Sequence, residues 1–250
     1  MTPKGALVTG AGGRLGRAMA EALGADGWAV AVHYRGSAEG AEATAATIRG
    51  RGGRAQIISC DLSDEAQRAT LLGQTRTVLD TSVTLLVNSA STFAEDSAEA
   101  HTREDWDHHF EPNLRAPVHL AQRLATNLPE GERGLVVNLI DQKVLKLNPL
   151  FFTYTLSKAA LWQATRMLAQ GLAPQVRVNA IAPGPTLQSV HQSPEQFAAE
   201  QAATLTGEGS SPDEIVRALR YLISASSVTG QMIACDGGQH LMWQTPDTQI

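Results

Sequence analysis

Short apolar strands alternate with helical segments along the chain, and this alternation limits the folds that the chain can adopt. The first pair is a strand at residues 6–9 and a helix that runs from about residue 14 to residue 25. Further strands are predicted at residues 28–33, 55–59, 83–87, 135–140, 176–181 and 232–235, mostly with helices between them. Such alternation favours a parallel sheet covered on both faces. We therefore predict an α/β fold with a single Rossmann-type, doubly wound parallel sheet, in which residues 1–250 form one domain.

Composition narrows the classes of function. Of the 250 residues, 43% are hydrophobic and 18% are charged, which is typical of a globular protein. No apolar run reaches the roughly 18 residues that span a membrane, and no secretory apolar segment precedes the first strand. A net charge of −5 gives no reason to expect a nucleic-acid partner. Cys60 and Cys235 lie far apart, and His101, His108 and His109 adjoin a charged helix that should be solvated. We expect reduced thiols, no metal site and a cytoplasmic location.

Capping signals refine the predicted helices. Ser63 is expected to cap the helix that follows the third strand, and residues 102–127 are expected to form one long helix that is interrupted near Pro112. Ser193 and Ser211 each precede a proline, with Gln or Glu at the third helical position. This arrangement predicts a capping box at both sites.

A glycine-rich turn, Gly-Ala-Gly-Gly-Arg-Leu-Gly at residues 10–16, joins the first strand to the first helix. Glycines let the backbone approach a pyrophosphate, and the helix behind the turn offers free N–H groups and the positive end of its dipole. A glycine-rich turn elsewhere would be weak evidence, but this position in a strand–helix–strand unit predicts a dinucleotide site.

The end of the second strand indicates which dinucleotide is bound. NAD sites usually place a carboxylate there to bond the ribose hydroxyls, whereas this chain reads His33-Tyr34-Arg35-Gly36-Ser37. Arg35 and Ser37 could hold a 2′-phosphate through charge-assisted hydrogen bonds, and Arg14 could reach the same group. The segment therefore favours NADPH.

Tyr154 and Lys158 are four residues apart in a segment that is predicted to be helical. The expected apolar face of that helix comprises Leu156, Ala159, Ala160, Gln163, Met167 and Leu168. Residues separated by four positions share a helix face, so the tyrosine and the lysine should be neighbours. Free tyrosine titrates near ~10, and a buried cation beside it would favour the phenolate. The pair predicts acid–base chemistry, although the spacing alone also occurs as a core tyrosine with a surface lysine.

Taken together, these motifs resemble those of the short-chain dehydrogenases/reductases. In the family's order and spacing the chain has Thr9-Gly10-x-x-x-Arg14-x-Gly16, Asp61-Leu62, Asn88-Ser-Ala-Ser91, Asn113, Tyr154-x-x-x-Lys158, Pro183-Gly184 and Asp236-Gly-Gly238. Within the family the chain resembles the pteridine reductases, including the bacterial dihydromonapterin/dihydrofolate reductase type. The features of that branch are Arg14 in the phosphate turn, Ser91 and Phe93 after the fourth strand, and Asp141 in place of the catalytic serine.

The resemblance implies a catalytic group of Asn113, Asp141, Tyr154 and Lys158. Lys158 would hold the nicotinamide ribose and lower the pKa of Tyr154, which would donate a proton. Asn113 would place a water that connects Lys158 to solvent. A carboxyl group at position 141 suits a substrate rich in ring nitrogens, so the bond expected to be reduced is C=N in a dihydropterin or dihydrofolate.

The resemblance also implies the binding residues. Those expected to contact NADPH are Gly10, Arg14, Leu15, Gly16, His33, Tyr34, Arg35, Ser37, Asp61, Leu62, Asn88, Ser89, Ala90, Tyr154, Lys158, Pro183 and Gly184. Those expected to contact the substrate are Ser91, Phe93, Asp141, Tyr154 and Leu187, with Phe93 stacked on a flat pterin. Residues 183–209 are expected to form a lid, with His191 as a further candidate. Lys143 and Lys146 could attract a folate tail, or could simply be solvated.

We therefore hypothesise that the protein is an NADPH-dependent pteridine reductase that acts on a small pterin or folate. We also expect a homotetramer, formed through the long helices that carry Asn113 and Tyr154. Two alternatives stay open: a ketone or 3-oxoacyl reductase on the same scaffold, and a non-catalytic NADP-binding sensor. The sequence does not choose among dihydromonapterin, dihydrobiopterin and dihydrofolate.

Overall fold

A parallel sheet runs through residues 4–244, the part of the chain that the computed structural model describes. Its strands are Gly5–Val8 (β1), Ala29–Tyr34 (β2), Arg54–Ser59 (β3), Val83–Asn88 (β4), Gly134–Leu139 (β5), Val176–Pro183 (β6) and Met232–Cys235 (β7). The helices are Arg14–Ala25 (α1), Ala38–Gly50 (α2), Glu65–Leu79 (α3), Arg103–Phe110 (α4), Ala116–Asn127 (α5), Phe152–Gly171 (α6), Pro194–Ala202 (α7) and Pro212–Ser224 (α8). None of these helices combines the length and the apolar character needed to cross a bilayer.

The strand order is β3-β2-β1-β4-β5-β6-β7, and every described pair of neighbouring strands is parallel. The order reverses between β1 and β4, which leaves a crevice at the carboxyl ends of these strands. This topology confirms the predicted fold class.

Apolar side chains from both faces of the sheet form the core. On one face α1, α2 and α8 contribute Met19, Leu23, Ile48 and Leu219. On the other face α3, α5 and α6 contribute Leu71, Leu120, Leu124 and Ala169. Because both faces are covered, the central strands are buried along their whole length rather than at alternate residues, as is typical of parallel sheets.

The capping predictions were right at two helices and wrong at a third. Ser193 and Ser211 form complete capping boxes with Gln196 and Glu214. The N-cap of α3, however, is Asp64 rather than Ser63, because the Asp64 carboxylate accepts the N–H groups of residues 66 and 67 at 2.8 and 3.1 Å. The N–H of Ser63 is held instead by the Asp61 carboxylate at 2.8 Å, which draws Ser63 into the turn before the helix.

The helix predicted at residues 102–127 is interrupted where the sequence indicates. A single π-helical turn, Glu111–Arg115, separates α4 from α5 and contains Pro112 and Asn113. Proline lacks an N–H group and cannot continue the ordinary ladder, so a wider turn is accommodated at this point.

The residues predicted to form the apolar face of α6 do not all pack into the core. Leu156 and Met167 on that face are 36% and 69% exposed. The buried face carries Tyr154, Lys158 and Leu161 instead. The polar pair points inward because it lies at the carboxyl end of the sheet. A stripe of apolar residues does not itself reveal whether it packs inside the chain or against another one.

Candidate active site

A cavity of about 950 Å³ opens at the carboxyl ends of the strands. It is lined by most of the residues that the sequence predicts near the reacting groups: Gly10, Arg14, Leu15, Gly16, Ser89, Ala90, Ser91, Phe93, Asp141, Tyr154, Lys158, Pro183, Gly184 and Leu187. An adjoining pocket of about 330 Å³ is lined by His33, Tyr34, Arg35, Ser37, Asp61 and Leu62. Asn88 and Asn113 are buried and line neither space. The fold thus gathers residues from seven separate stretches of sequence into one crevice.

Tyr154 and Asp141, which both line the cavity, are joined by a direct hydrogen bond. The Tyr154 hydroxyl donates to Asp141 Oδ2 at 2.9 Å. The other carboxylate oxygen, Oδ1, accepts the backbone N–H of Lys143 at 2.8 Å, so both oxygens of Asp141 are held in place. Lys158 Nζ donates to the carbonyl of Leu139 at 2.9 Å and lies 5.8 Å from the centre of the Tyr154 ring.

The pKa of Tyr154 is raised well above its ordinary value, because the phenol is buried and faces the Asp141 carboxylate. This corrects the expectation that Lys158 lowers it. The lysine is turned to the Leu139 carbonyl, and the nearest charge to the phenol is negative. Burial also lowers the pKa of Lys158 to about 8, against an opposing effect of Asp141. The site therefore combines a protonated phenol, a carboxylate and an ammonium group at neutral pH.

Asn113 joins the π-helical turn to its surroundings. Its Oδ1 accepts the backbone N–H of Thr92 at 2.9 Å, and its Nδ2 donates to the Thr92 carbonyl at 3.0 Å and to Ser157 Oγ at 3.2 Å. Within the described chain no hydrogen bond connects Asn113 to Lys158. The side chain fixes the loop after β4 against α6, so its observed contacts position the site from behind the cavity wall.

The glycine-rich turn is shaped to receive a phosphate. Gly10 has a φ of 64°, and a Cβ there would lie 2.8 Å from the Cα of Ala90. A Cβ on Gly16 would lie 2.4 Å from the carbonyl oxygen of Gly10. Gly13, the N-cap of α1, provides no side-chain cap and has open space around its Cα. The first N–H groups of the helix thus have no side-chain cap, which is the arrangement with which helix N-termini receive a phosphate.

His33 holds this turn from behind. Its Nδ1 accepts the N–H of Gly10 at 3.1 Å, and its Nε2 lies 3.0 Å from the Cys60 carbonyl, to which it donates. Burial lowers the pKa of His33 to about 4, so the imidazole is neutral. Both ring nitrogens are engaged within the protein, and Arg35 and Ser37 supply the polar groups on the open side of the second pocket.

Arg14 points away from that pocket. Its guanidinium donates to the carbonyls of Gln188 and Leu187 at 3.0 and 3.2 Å. The expectation that it reaches a 2′-phosphate is therefore not met in this structure, because the side chain extends along the larger cavity towards residues 183–209. It joins the glycine-rich turn to the predicted lid.

An aromatic cluster forms one wall of the cavity. The ring of Phe93 stacks on Phe151, with centroids 4.3 Å apart, and meets the edges of Tyr154 and His191 at 4.7 and 5.5 Å. Sequence reasoning identified Phe93 and His191 but missed Phe151. The signal for it was the aromatic pair at 151–152, immediately before the helix that carries Tyr154.

His109 is fully buried, which corrects the expectation of a solvated residue. Its Nε2 accepts the N–H of Ala94 at 3.1 Å, and its Nδ1 lies 2.7 Å from Thr153 Oγ1. The Thr153 hydroxyl in turn donates to Asp96. This chain of hydrogen bonds ties the segment after Phe93 to the start of α6. The charged neighbours of His109 occupy the other side of α4, which a local sequence pattern could not resolve.

A glycine-rich turn at the switch point of a parallel sheet is the arrangement with which Rossmann-type folds bind dinucleotides, and it defines the class of this protein. More narrowly, the chain belongs to the short-chain dehydrogenase/reductase family, since residues 10–240 match a family profile described as enoyl-(acyl carrier protein) reductase. The family resemblance predicted from the motifs is confirmed.

Two similar solved structures are described as FolM alternative dihydrofolate reductase 1 in complex with NADP, from Brucella canis and Brucella suis. Each is 47% identical to this chain with a TM-score of 0.95, and each alignment covers 99% of this chain and 98% or 99% of the other. These two descriptions agree with the predicted pteridine-reductase branch. A more distant relative, the 3-oxoacyl-[acyl-carrier-protein] reductase FabG of Staphylococcus aureus, is 29% identical over 244 residues, which is 95% of this chain and 98% of FabG.

Proposed function

We propose that the protein is an NADPH-dependent reductase of a dihydropterin or dihydrofolate. The observation that carries the proposal is the hydrogen bond between Tyr154 and Asp141 in a cavity with an aromatic wall. A carboxylate at this position can bond the amino and ring N–H groups of a pterin, whereas a ketone offers it only an acceptor. The similarity to two structures described as dihydrofolate reductases supports the same proposal.

NADPH is the proposed cofactor because β2 ends without an acid and Arg35 and Ser37 line the pocket beyond it. The two similar Brucella structures hold NADP, which supports this choice. When bound, the nicotinamide supplies the hydride. The glycine-rich turn would hold the pyrophosphate, and Lys158 would bond the nicotinamide ribose.

Proton delivery is assigned to the Tyr154–Asp141 pair. The raised pKa of Tyr154 keeps the phenol protonated at neutral pH, so the hydroxyl has a proton to give. Asp141 accepts the hydrogen bond from that hydroxyl and can accept a neighbouring N–H group of the substrate, which would hold the nitrogen that receives the proton close to the phenol. The ammonium group of Lys158 offsets the negative charge that remains after transfer. Phe93 and Ser91 would hold the flat ring at the cavity wall.

The proposal is tested by following NADPH oxidation with 7,8-dihydropterin, dihydrofolate and an acetoacetyl thioester in parallel. We expect turnover of a pterin or folate, reduced by about 10²–10⁴-fold in both Tyr154→Phe and Asp141→Ser, since each removes a group from the proton path. Tyr221→Phe and Asp107→Asn are matched controls, because both residues are exposed and lie outside the cavity.

A ketone or 3-oxoacyl reductase is the second candidate, and the 29% identity to FabG favours it. It predicts turnover of the thioester alone, with Asp141→Ser as active as the wild type or more so. That result would contradict the pteridine reductase. Tight NADPH binding without turnover of any of the three substrates would favour the non-catalytic sensor.

A further inference from the structure

The helix that carries Tyr154 takes its N-terminal cap from a residue that is distant in the chain. Phe151 precedes α6 with a left-handed backbone (φ 54°), and its phenyl ring cannot accept a hydrogen bond. The first N–H groups of a helix have no partner within the helix and need acceptors from elsewhere. Here the N–H of Thr153 lies 3.0 and 3.3 Å from the two carboxylate oxygens of Asp96, to which it donates. Asp96 stands 57 positions earlier in the chain, and it takes the place of a local cap.

The main chain around Asp96 is bonded to the same end of the helix. The carbonyl of Asp96 accepts the N–H of Phe151 at 2.9 Å, and Ser97 forms an antiparallel bridge with Leu150. One residue therefore binds the N-cap position through its carbonyl and the first turn of α6 through its carboxylate. The segment after Phe93 and the start of α6 lie side by side as a result.

His109 completes the connection from within the core. The Thr153 hydroxyl donates to Asp96, so it accepts at 2.7 Å from His109 Nδ1, while His109 Nε2 accepts the N–H of Ala94 at 3.1 Å. Burial, with a smaller effect of the neighbouring His108, lowers the pKa of His109, which keeps the imidazole neutral as this pattern requires. Each polar group of the connection thus has a partner.

The connected segments adjoin two residues of the cavity. Phe93 directly precedes Ala94, and Tyr154 directly follows Thr153. Both aromatic side chains line the cavity, with ring centroids 4.7 Å apart, whereas Asp96 and Thr153 lie outside its described lining. The hydrogen bonds of Asp96 therefore hold the two aromatic residues in register without reaching the space that a substrate would occupy.

We propose that Asp96 is a positioning residue, whose carboxylate caps α6 and thereby fixes the Tyr154 phenol relative to the ring of Phe93. The inference rests on the proposed function and deepens it, because the phenol is the proposed proton donor and Phe93 the proposed wall for the flat substrate. A small displacement of a reacting group lowers the rate of a reaction steeply even when its cause lies outside the cavity. Asp96 acts through Tyr154 and Phe93, and not on the substrate itself.

The test compares Asp96→Ala, which removes the cap, with Asp96→Asn, since asparagine caps helices about as well as aspartate. The values of kcat and KM for 7,8-dihydrobiopterin are measured at saturating NADPH, together with the Kd for NADPH and the Tm. We expect kcat to fall about tenfold or more in Asp96→Ala and to stay within about threefold of wild type in Asp96→Asn. The Kd for NADPH should stay within about twofold in both, because the glycine-rich turn is a separate part of the fold.

Ser211→Ala is the matched control. Ser211 caps α8 and lies outside the described lining of both pockets, so its loss weakens a helix that carries none of the proposed catalytic groups. The Tm should fall by about 2–4 °C in Ser211→Ala and in Asp96→Ala alike. Only Asp96→Ala should lose turnover.

The comparison can be repeated from the helix side. Thr153→Ser keeps the hydroxyl that joins Asp96 to His109, and Thr153→Val removes it while leaving the backbone N–H to Asp96. We expect kcat near wild type for the serine variant and about three- to tenfold lower for the valine variant. This pair applies equally if Asp96→Ala does not fold.

Amide hydrogen exchange provides a measurement that does not depend on turnover. In Asp96→Ala, exchange should be faster by about tenfold both in residues 93–97 and in residues 152–156, because one carboxylate connects the two segments. Asp96→Asn and Ser211→Ala should leave both segments as in wild type.

Loss of kcat in Asp96→Ala with recovery in Asp96→Asn, and faster exchange in both segments, would support the proposal. A lower Tm with wild-type kcat and KM would overturn it, because the cap would then serve stability alone. Equal losses in the alanine and asparagine variants would overturn it as well, since capping would not explain them. A wild-type protein that reduces no dihydropterin would overturn the proposed function, and the exchange of the two segments would then decide the inference separately.

Discussion

At the residue scale, burial and one carboxylate decide the protonation of the site. Tyr154 and Lys158 could be identified from their spacing, but the direction of the Tyr154 pKa shift could not. It depends on the contact with Asp141, thirteen residues away in the chain, and on how completely the phenol is enclosed. The same holds for His33, whose neutral state follows from burial between the glycine-rich turn and the end of β3. Local sequence patterns carry little information on either quantity.

His33 should make the protein sensitive to acid. Its pKa is about 4 when folded against 6.5 when unfolded, because burial disfavours the imidazolium. Between these pH values the unfolded chain binds a proton that the folded chain does not, so the free energy of unfolding falls as the pH drops below about 6.5. The loss should reach roughly 3 kcal/mol near pH 4. His33→Asn keeps an acceptor for Gly10 but does not titrate. We therefore expect it to be less stable than wild type at pH 8 and to lose less stability on acidification.

Urea unfolding at intervals from pH 8 to pH 5 measures this difference. His109 and His119 also have lowered pKa values and contribute with the same sign in both proteins, so the difference between the two curves isolates His33. Parallel curves for wild type and variant would show that His33 is not the titrating group.

At the scale of elements, the sequence predicts the order and type of the helices and strands well. Strand–helix alternation is set locally, and the capping boxes at Ser193 and Ser211 act within one turn. The errors arose where a distant partner decides the outcome. The Asp61 carboxylate accepts the N–H of Ser63, and Asp64 caps α3 instead. In α6 the face that carries Tyr154 and Lys158 is buried at the cavity. The contact between Arg14 and the predicted lid joins segments about 170 residues apart and has no local signal.

Arg14 should couple the glycine-rich turn to the predicted lid, residues 183–209. It has a φ of 51°, which is uncommon for a residue with a side chain, so Arg14→Gly relieves backbone strain while removing both hydrogen bonds to the lid. We expect the variant to keep the Tm of the wild type within about 3 °C. Amide hydrogen exchange in residues 183–209 should be faster by about tenfold, which corresponds to the loss of roughly 1.4 kcal/mol of local stability. The control is Arg35→Gly, because Arg35 is an exposed arginine that forms no contact with the lid. Arg17→Gly would be a poor control, because Arg17 lies inside α1. Unchanged exchange in Arg14→Gly would show that the lid is held by other contacts.

At the scale of the whole molecule, the exposed apolar residues of α6 indicate a partner surface. Leu156 and Met167 lie on the face of α6 that the sequence pattern marked as apolar, yet they are exposed in the part of the chain that the structure describes. Trp162 is on the same helix and only partly buried, beneath the guanidinium of Arg166 at 5.8 Å. Since helices with one exposed apolar face commonly pack against another chain, we propose that α6 pairs with α6 of a second copy within a homotetramer.

The tetramer predicts a specific response to a charge on this face. Met167→Glu would place carboxylates close together across a two-fold axis, where like charges repel and lose solvent, so the assembly should dissociate. Sedimentation velocity should give a tetramer for wild type and a dimer or monomer for the variant at the same protein concentration. Val78→Glu changes another exposed apolar residue, on α3, and is the control that should remain tetrameric. The active site should respond in turn, because Tyr154 and Lys158 occupy the opposite face of the same helix and depend on its position. A wild-type protein that sediments as a monomer would refute the assembly. Dissociation of Met167→Glu with full activity would instead show that each subunit maintains its site alone.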